Sequence, residues 1–338
     1  MKDRITYIDI AKGIGIFFVI WGHIILNGPG YNFIYAFHMP LFFFLSGLVF
    51  SDKKYESGKE FIKKRLKTLI LPYIIWSIVT YLYWVLVENR FAGNANIISP
   101  FIQIFISQGS SGYMLHNIPM WFVLCLFLVE IIYYYICKIK NFAFRRITIL
   151  SLGIIGCIMT LENSFFDFTK LFWSAEIALV ALPFYWIGNE ISNKFDKVTL
   201  GTKICDRKIL SIAISVILFS VLLITSNLNP DISMGSDKLG NWLLFYINAI
   251  LGIILIMLIS IMIKSNDFLE FLGKHSFFIM ATHFPVRKPI VLLFGKIFGI
   301  SSKIIYSSII YSFIIAILTL FIEIVIIKVI SRKEQLLK

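Results

Sequence analysis

Apolar residues recur along the whole chain in runs near 6–26, 33–50, 68–88, 118–137, 147–161, 171–189, 209–226, 241–263, 276–295 and 304–328. A helix needs about 20 apolar residues to cross a hydrocarbon core about 30 Å thick, and most of these runs meet that length. The fifth is short, and Pro40 and Pro183 interrupt the second and sixth; at Pro40 a lost backbone hydrogen bond is expected to bend the helix. Only helices and closed barrels satisfy their backbone groups in lipid. The pattern therefore predicts an all-α, polytopic membrane helical bundle of about ten transmembrane helices, with residues 1–338 forming a single integral-membrane domain and no separate soluble domain. No small-residue cleavage site follows the first run, which is longer than a signal core, so it is expected to be retained as a helix.

Composition agrees with lipid burial. Hydrophobic residues make up 58% of the 338, phenylalanine alone supplies 33, and charged residues only 15%. The net charge of +13 raises the question of nucleic acid, but the basic residues do not cover one soluble surface. They gather between the runs: Lys53 to Lys67, Lys138 to Arg146, Lys194 to Lys208, and Lys328 to Lys338. Stretches 27–35 and 91–117 carry no lysine or arginine. This alternation follows the positive-inside rule and excludes a nucleic-acid partner. It predicts that both termini and segments 51–67, 138–146, 190–208 and 264–274 face the cytoplasm. Trp76, Trp84, Trp121, Trp173 and Trp242 fit interfacial anchors only loosely, because a bundle core also accepts them. The four cysteines, Cys125, Cys137, Cys157 and Cys205, form neither a metal pair nor a disulfide framework and read as small apolar residues. No phosphate loop, dinucleotide fingerprint, zinc-protease motif or internal repeat is visible.

The chemistry rests on polar groups inside the apolar runs, which are costly unless they face a polar interior. In the first run Lys12 precedes His23 by eleven residues, almost three turns, so the two share one side of a helix about 16 Å apart. An imidazole titrating near pH 6.5 suits a general base; packing against a neighbouring helix is the plainer alternative. Gly13, Gly15 and Gly22 would allow close helix approach or a narrow channel alongside. His38 opens the second run and shares the outer side with His23, in a structural or a catalytic role. The cluster Lys63-Lys64-Arg65-Leu66-Lys67 reads either as an ordinary cytoplasmic flank or as a site for a phosphorylated ligand, with Lys12 joining it. His116 ends a lysine-free loop and is expected outside, at an acceptor region or merely solvated, just before Trp121. Glu130 and Glu176 lie within runs and should face the interior. His283 and Arg287 are one turn apart on one helix face, a second candidate lining for a central cavity. His275 marks the start of that helix.

Several of these residues fall in recognisable motifs. Tyr7-Ile8-Asp9-Ile10-Ala11-Lys12-Gly13-Ile14 resembles the Tyr-Leu-Asp-Gly-Leu-Arg-Gly-Ile opening of the membrane-bound acyltransferase family 3. That family's arginine, ten residues and histidine map onto Lys12 and His23. Phe37-His38-Met39-Pro40-Leu41-Phe42-Phe43-Phe44-Leu45-Ser46-Gly47 is similar to its second-helix signature, and Asn117-Ile118-Pro119-Met120-Trp121-Phe122-Val123 to the opening of its fourth. The resemblance covers nearly the whole chain and points to the compact sugar O-acetylase branch, which is fucose 4-O-acetylase-like. Two departures stand out. Lysine replaces the family's arginine at position 12, keeping the charge but losing the planar fork. In the Arg-x-x-Arg motif, Arg65 matches the first arginine and Thr68 occupies the second position, with Lys67 adjacent.

The resemblance implies transfer of acetyl from cytoplasmic acetyl-CoA to a hydroxyl of a cell-surface glycan or lipid-linked sugar, in a multi-pass protein of the bacterial cytoplasmic membrane. No metal is expected. It implies catalytic roles for His23, His38 and Asp9, donor contacts from Lys12, Arg65 and Lys67, and acceptor contacts from His116, Trp121, Glu130, His283 and Arg287. Longer members carry an extra soluble domain for the external transfer; here the transfer is expected to finish within the bundle. A transporter or flippase for a glycan or small polar metabolite is the main alternative, with His23 binding or relaying a proton. A passive structural partner of a glycan assembly complex is a third, and it leaves the intramembrane charges without a purpose.

Overall fold

A computed structural model describes residues 5–91, 96–107, 114, 116–161, 171–195, 204 and 206–336, and its regular structure among these is helical apart from one β-bridge between Ser233 and Lys238. Lys2, Arg4, Cys205 and most of 194–208 lie outside the described residues. Helix α1 spans Thr6–Gly22, α2 Gly28–Tyr35, α3 His38–Val49, α4 Gly58–Arg65 and α5 Leu71–Tyr83. The short α6 covers Ile98–Ile106, followed by α7 Trp121–Ile136, α8 Phe142–Met159, α9 Ala175–Lys194 and α10 Lys208–Asn227. Then come α11 Trp242–Ile263, α12 Asp267–Lys274, α13 Ser276–Phe298, α14 Ser302–Ser307 and α15 Ile309–Leu336.

Eight described helical stretches are long and apolar enough to cross a membrane, among them 28–49, 58–88 and 309–332. The protein is thus an all-α, polytopic membrane-spanning bundle. Helix α1, with 17 residues, and α9, with 20, occupy the positions of two further expected crossings. The exterior inverts the pattern of a soluble protein. Leu71, Ile75, Leu82 and Leu86 on one face of the 58–88 stretch, and Val216, Ile217 and Ile224 on α10, point outward to where lipid lies. The interior holds Ile10, Ile20, Phe37, Phe43, Phe184 and Tyr185.

Three details depart from the sequence pattern. The second run is two helices, α2 and α3, separated at Ala36 and Phe37. Pro40 stands in the first turn of α3, where no intrahelical N–H is needed, so it starts the helix instead of bending it. The third crossing begins earlier than expected: α4 runs into α5 through the wide π turn Leu66–Ile70 and onward through a second, Trp84–Glu88.

The short amphipathic α12 is absent from the apolar pattern because it does not span. Asn266 caps it by accepting the Leu269 N–H at 2.9 Å. It packs backbone to backbone on α1. A Cβ on Gly13 would stand 2.2 Å from the Leu269 carbonyl oxygen, and one on Gly273 would stand 1.9 Å from that of Asp9. Only glycine fits at either point. This contact fixes the first turns of α1, where Asp9 and Lys12 lie.

Candidate active site

His23 caps the C-terminal end of α1 and is not inside a longer helix, since α1 stops at Gly22. Its N–H donates to Val19 O at 3.1 Å and its half-buried side chain points into the bundle. Across from it stands α13. The His23 and His283 rings lie 5.3 Å apart, centroid to centroid, and Phe284 meets His23 edge-on at 6.0 Å. His283 is fully buried and its Nδ1 sits 2.9 Å from Ile279 O. A carbonyl only accepts, so Nδ1 carries the proton and Nε2 is left with its lone pair. That Nε2 is buried without a hydrogen-bond partner among the described residues. His38 is held alike, with Nδ1 donating to Ile34 O at 2.9 Å. His38 and His283 thus each present an imidazole whose tautomer is set by the backbone of its own preceding turn.

Helix α13 is broken chemically where His283 needs support. Pro285 has no N–H, so the Ala281 carbonyl four residues earlier loses its helical donor. Asn117 replaces it, donating through Nδ2 to Ala281 O at 2.7 Å. The asparagine opening the segment Asn117-Ile118-Pro119 therefore joins the loop before α7 to the turn that carries His283. Sequence reading missed this role. The signal was a proline four positions after a carbonyl, which names the orphaned acceptor but not its partner.

Two cavities meet at His23. One, of about 170 Å³, runs along α1 and is lined by Lys12, Ile16, His23, Ser46, Trp121 and Ser276 among others. The other, of about 260 Å³, is lined by His23, Tyr31, His38, Trp121, Ser236 and Arg287 among others. His23, Met39 and Trp121 belong to both walls. The second cavity is roofed by the connection between α10 and α11. Asn229 braces that loop: its Nδ2 donates to the carbonyls of Leu239 and Asn241, both at 3.1 Å, and its Oδ1 accepts the Asn241 N–H at 2.9 Å. Tyr31 ties it to α2 by donating to Ile232 O at 3.2 Å. Gly235 then rests on Trp121, where a Cβ would fall 2.6 Å from the indole Nε1.

The remaining predicted residues are distributed unevenly. Arg65 and Glu130, assigned above to donor and acceptor, are brought to each other: Nε lies 2.7 Å from Oε2. Arg65 also lies over Phe61, whose ring stacks on Tyr134, so this pair ties α4 to α7. Lys67 is exposed in the π turn, and Asp9 is buried at the α12 contact. Glu176 accepts the Leu171 N–H at 3.1 Å at the start of α9. His116 is not solvated. It is buried, edge-on to Tyr81 at 5.7 Å, and lines neither cavity around His23. Burial, aided by the Lys288 cation, pushes its pKa down to about 4. Lys288 itself is paired with Glu88. Among the described residues no three His, Cys, Asp or Glu side chains gather as a metal site.

Comparison with known families completes the picture. The profile of an acyltransferase domain, family 3, matches residues 5–328. The chain belongs to the membrane acyltransferase family 3. Neither curated proteins nor solved structures give a match. As a member of this acyltransferase family it is a multi-pass membrane protein with transferase chemistry, and the family suggests a donor of the acyl-CoA type. The two cavities around His23 thus lie in a bundle whose family moves acyl groups.

Proposed function

We propose that the protein is an acetyl-CoA-dependent O-acetyltransferase of the compact sugar O-acetylase kind, acting on a hydroxyl of a cell-surface glycan or lipid-linked sugar. The observation that carries this reading is that one imidazole, His23, belongs to the walls of two cavities on opposite sides of it. Lys12 stands about 16 Å down α1 from His23 at the far end of the first cavity. At about 170 Å³ that cavity is below the ~300–1,000 Å³ of a drug-sized site, so it suits a narrow thioester arm and not a nucleotide. Lys12 meets donor phosphate at the mouth, and the basic residues 53–67 and 138–146 support a cytoplasmic side for it.

His23 takes the proton of the acceptor hydroxyl as the hydroxyl oxygen attacks the thioester carbonyl carbon. The carbon–sulfur bond breaks, the new carbon–oxygen ester bond forms, and His23 returns the proton to the departing thiolate. Charge is conserved and no further reactant is needed. His283, with Nε2 unprotonated beside His23, steadies the imidazolium formed in between.

The direct test is purified protein in lipid nanodiscs given acetyl-CoA and candidate glycosides, with free thiol and acetylated sugar both measured. Acceptor-dependent thiol release supports the assignment. Uptake of a glycan into vesicles without thiol release would instead favour a transporter. Thiol labelling of Lys54→Cys and Leu228→Cys in a cysteine-free background, in intact cells, checks the orientation. Only the second should react.

A further inference from the structure

We infer that the acceptor is anionic: a sugar carrying an oxyanion, as carboxylate or phosphate, close to the hydroxyl that is acylated. This inference rests on the reading above that the cavity lined by Tyr31 and Arg287 is the acceptor site.

The observation is a buried cation without a carboxylate partner among the described residues. Arg287 is only 9% exposed, lines the 260 Å³ cavity, and has an Nε without a hydrogen-bond partner among the described residues. No described carboxylate pairs with it. Glu88, the acid on the adjoining helix, is engaged by Lys288. Tyr306 hydrogen-bonds the guanidinium, Tyr35 lies within its electrostatic reach but already donates to Gly22 O at 3.2 Å, and Glu88 acts on it only through its field. Phenols are neutral, and the Phe284 ring, 4.3 Å from the guanidinium carbon, offers only its quadrupole. A buried guanidinium in a membrane interior is retained where something anionic completes it.

Position decides which substrate brings that anion. Helix α13 begins at Ser276, which lines the Lys12 cavity, and passes His283 before reaching Arg287. Arg287 lies four residues, about 6 Å of rise, beyond His283. Donor phosphates at Lys12 are on the opposite side of His23. The anion at Arg287 therefore enters with the acceptor. Ser233, Ser236, Tyr31 and His38 around the same cavity supply neutral hydrogen bonds for sugar hydroxyls. A planar fork reads carboxylate and phosphate alike, so the class is defined by the oxyanion and its distance from the hydroxyl.

The experiment compares three probes in nanodiscs: methyl β-glucoside, methyl β-glucuronoside and glucose 1-phosphate. Acetyl transfer gives kcat/KM for each, and ligand-induced shifts in thermal unfolding give binding without turnover. The wild type should favour at least one anionic probe over the glucoside by about 10–100-fold, the scale of a charge-assisted fork. Preference for the uronoside identifies an acidic sugar, and preference for the phosphate a sugar phosphate. Arg287→Gln should bring the ratio close to one, and Arg287→Lys should keep part of it. A wild-type ratio near one, or a ratio unchanged in both variants, overturns the inference. If Arg287→Gln does not fold, the lysine variant decides. If no probe is acetylated, the unfolding shifts judge the anion site alone. Selective stabilisation by an anionic probe that weakens in Arg287→Lys supports it, and equal effects of all three probes overturn it.

Discussion

The imidazoles of His23 and His283 face each other with centroids 5.3 Å apart and planes inclined by 36°. They come from helices 260 positions apart in the chain, and only one of them has its tautomer fixed by a backbone carbonyl. His283 Nδ1 donates to Ile279 O, which leaves its Nε2 as an acceptor buried beside His23. In the proposed reaction this gives the pair a direction, with His23 cycling its proton and His283 stabilising the charged state.

Replacing His23 by glutamine keeps hydrogen-bonding capacity but removes useful basicity. Turnover should fall by about 10²–10⁴, the usual worth of a general base, with folding and donor binding retained. Near-normal acetyl transfer by His23→Gln would move the base to His38 or His283.

Lys12→Ala should raise the KM for the donor with a smaller change in kcat, since the charge acts on binding and lies about 16 Å from the reacting atoms. Lys12→Arg should restore it. The KM for acetyl-CoA at physiological salt is the measurement, and no change in the alanine variant would reduce this lysine to a topology signal.

Asn117→Ala removes the donor that serves the Ala281 carbonyl, orphaned by Pro285. The cost should be about 1–3 kcal/mol in stability, that of an unsatisfied buried acceptor. Activity should fall by more than the folded fraction does, because the freed turn carries His283. Asn117→Asp has no amide to donate and should not rescue. Thermal unfolding and turnover at saturating donor separate the two effects.

His116 gives the protein an acid-sensitive term. It is held neutral in the fold down to about pH 4, by burial and by the Lys288 cation paired with Glu88, whereas an exposed histidine takes a proton near pH 6.5. The unfolded chain therefore binds more protons between these values. The stability this provides is fully present above about pH 6.5 and is lost as pH falls towards 4, at up to about 1.4 kcal/mol per pH unit. His116→Phe should flatten that slope in unfolding curves recorded from pH 7 to 4.5. An unchanged slope would assign it to other groups.

The crossings were legible because lipid demands long apolar runs, and the polar residues within those runs marked the interior. Pairings were not. Arg65 and Glu130 looked like two separate ligand contacts because nothing in spacing reveals that the helix entering α5 crosses α7 at that depth. Helix α12 escaped notice because eight residues cannot span, although Gly13 and Gly273 were present as the small residues such a contact needs. His116 read as an acceptor contact or a solvated residue because its polar loop hides the burial that Tyr81 supplies.

The thirteen-residue connection 229–241 supplies Ser233 to Ser236 to one cavity and nothing to the other. Asn229 pins both of its ends, so residues between them, apart from Gly235 against Trp121 and Gly240 against Asn229, can be exchanged without moving α10 or α11. Mutational drift in this loop reshapes the wall opposite Arg287 while Lys12, Ser46 and Ser276 stay as they are. Under the proposed assignment of the two cavities, new acceptors can be acquired by editing a few consecutive codons, and the ability to use the donor is inherited intact.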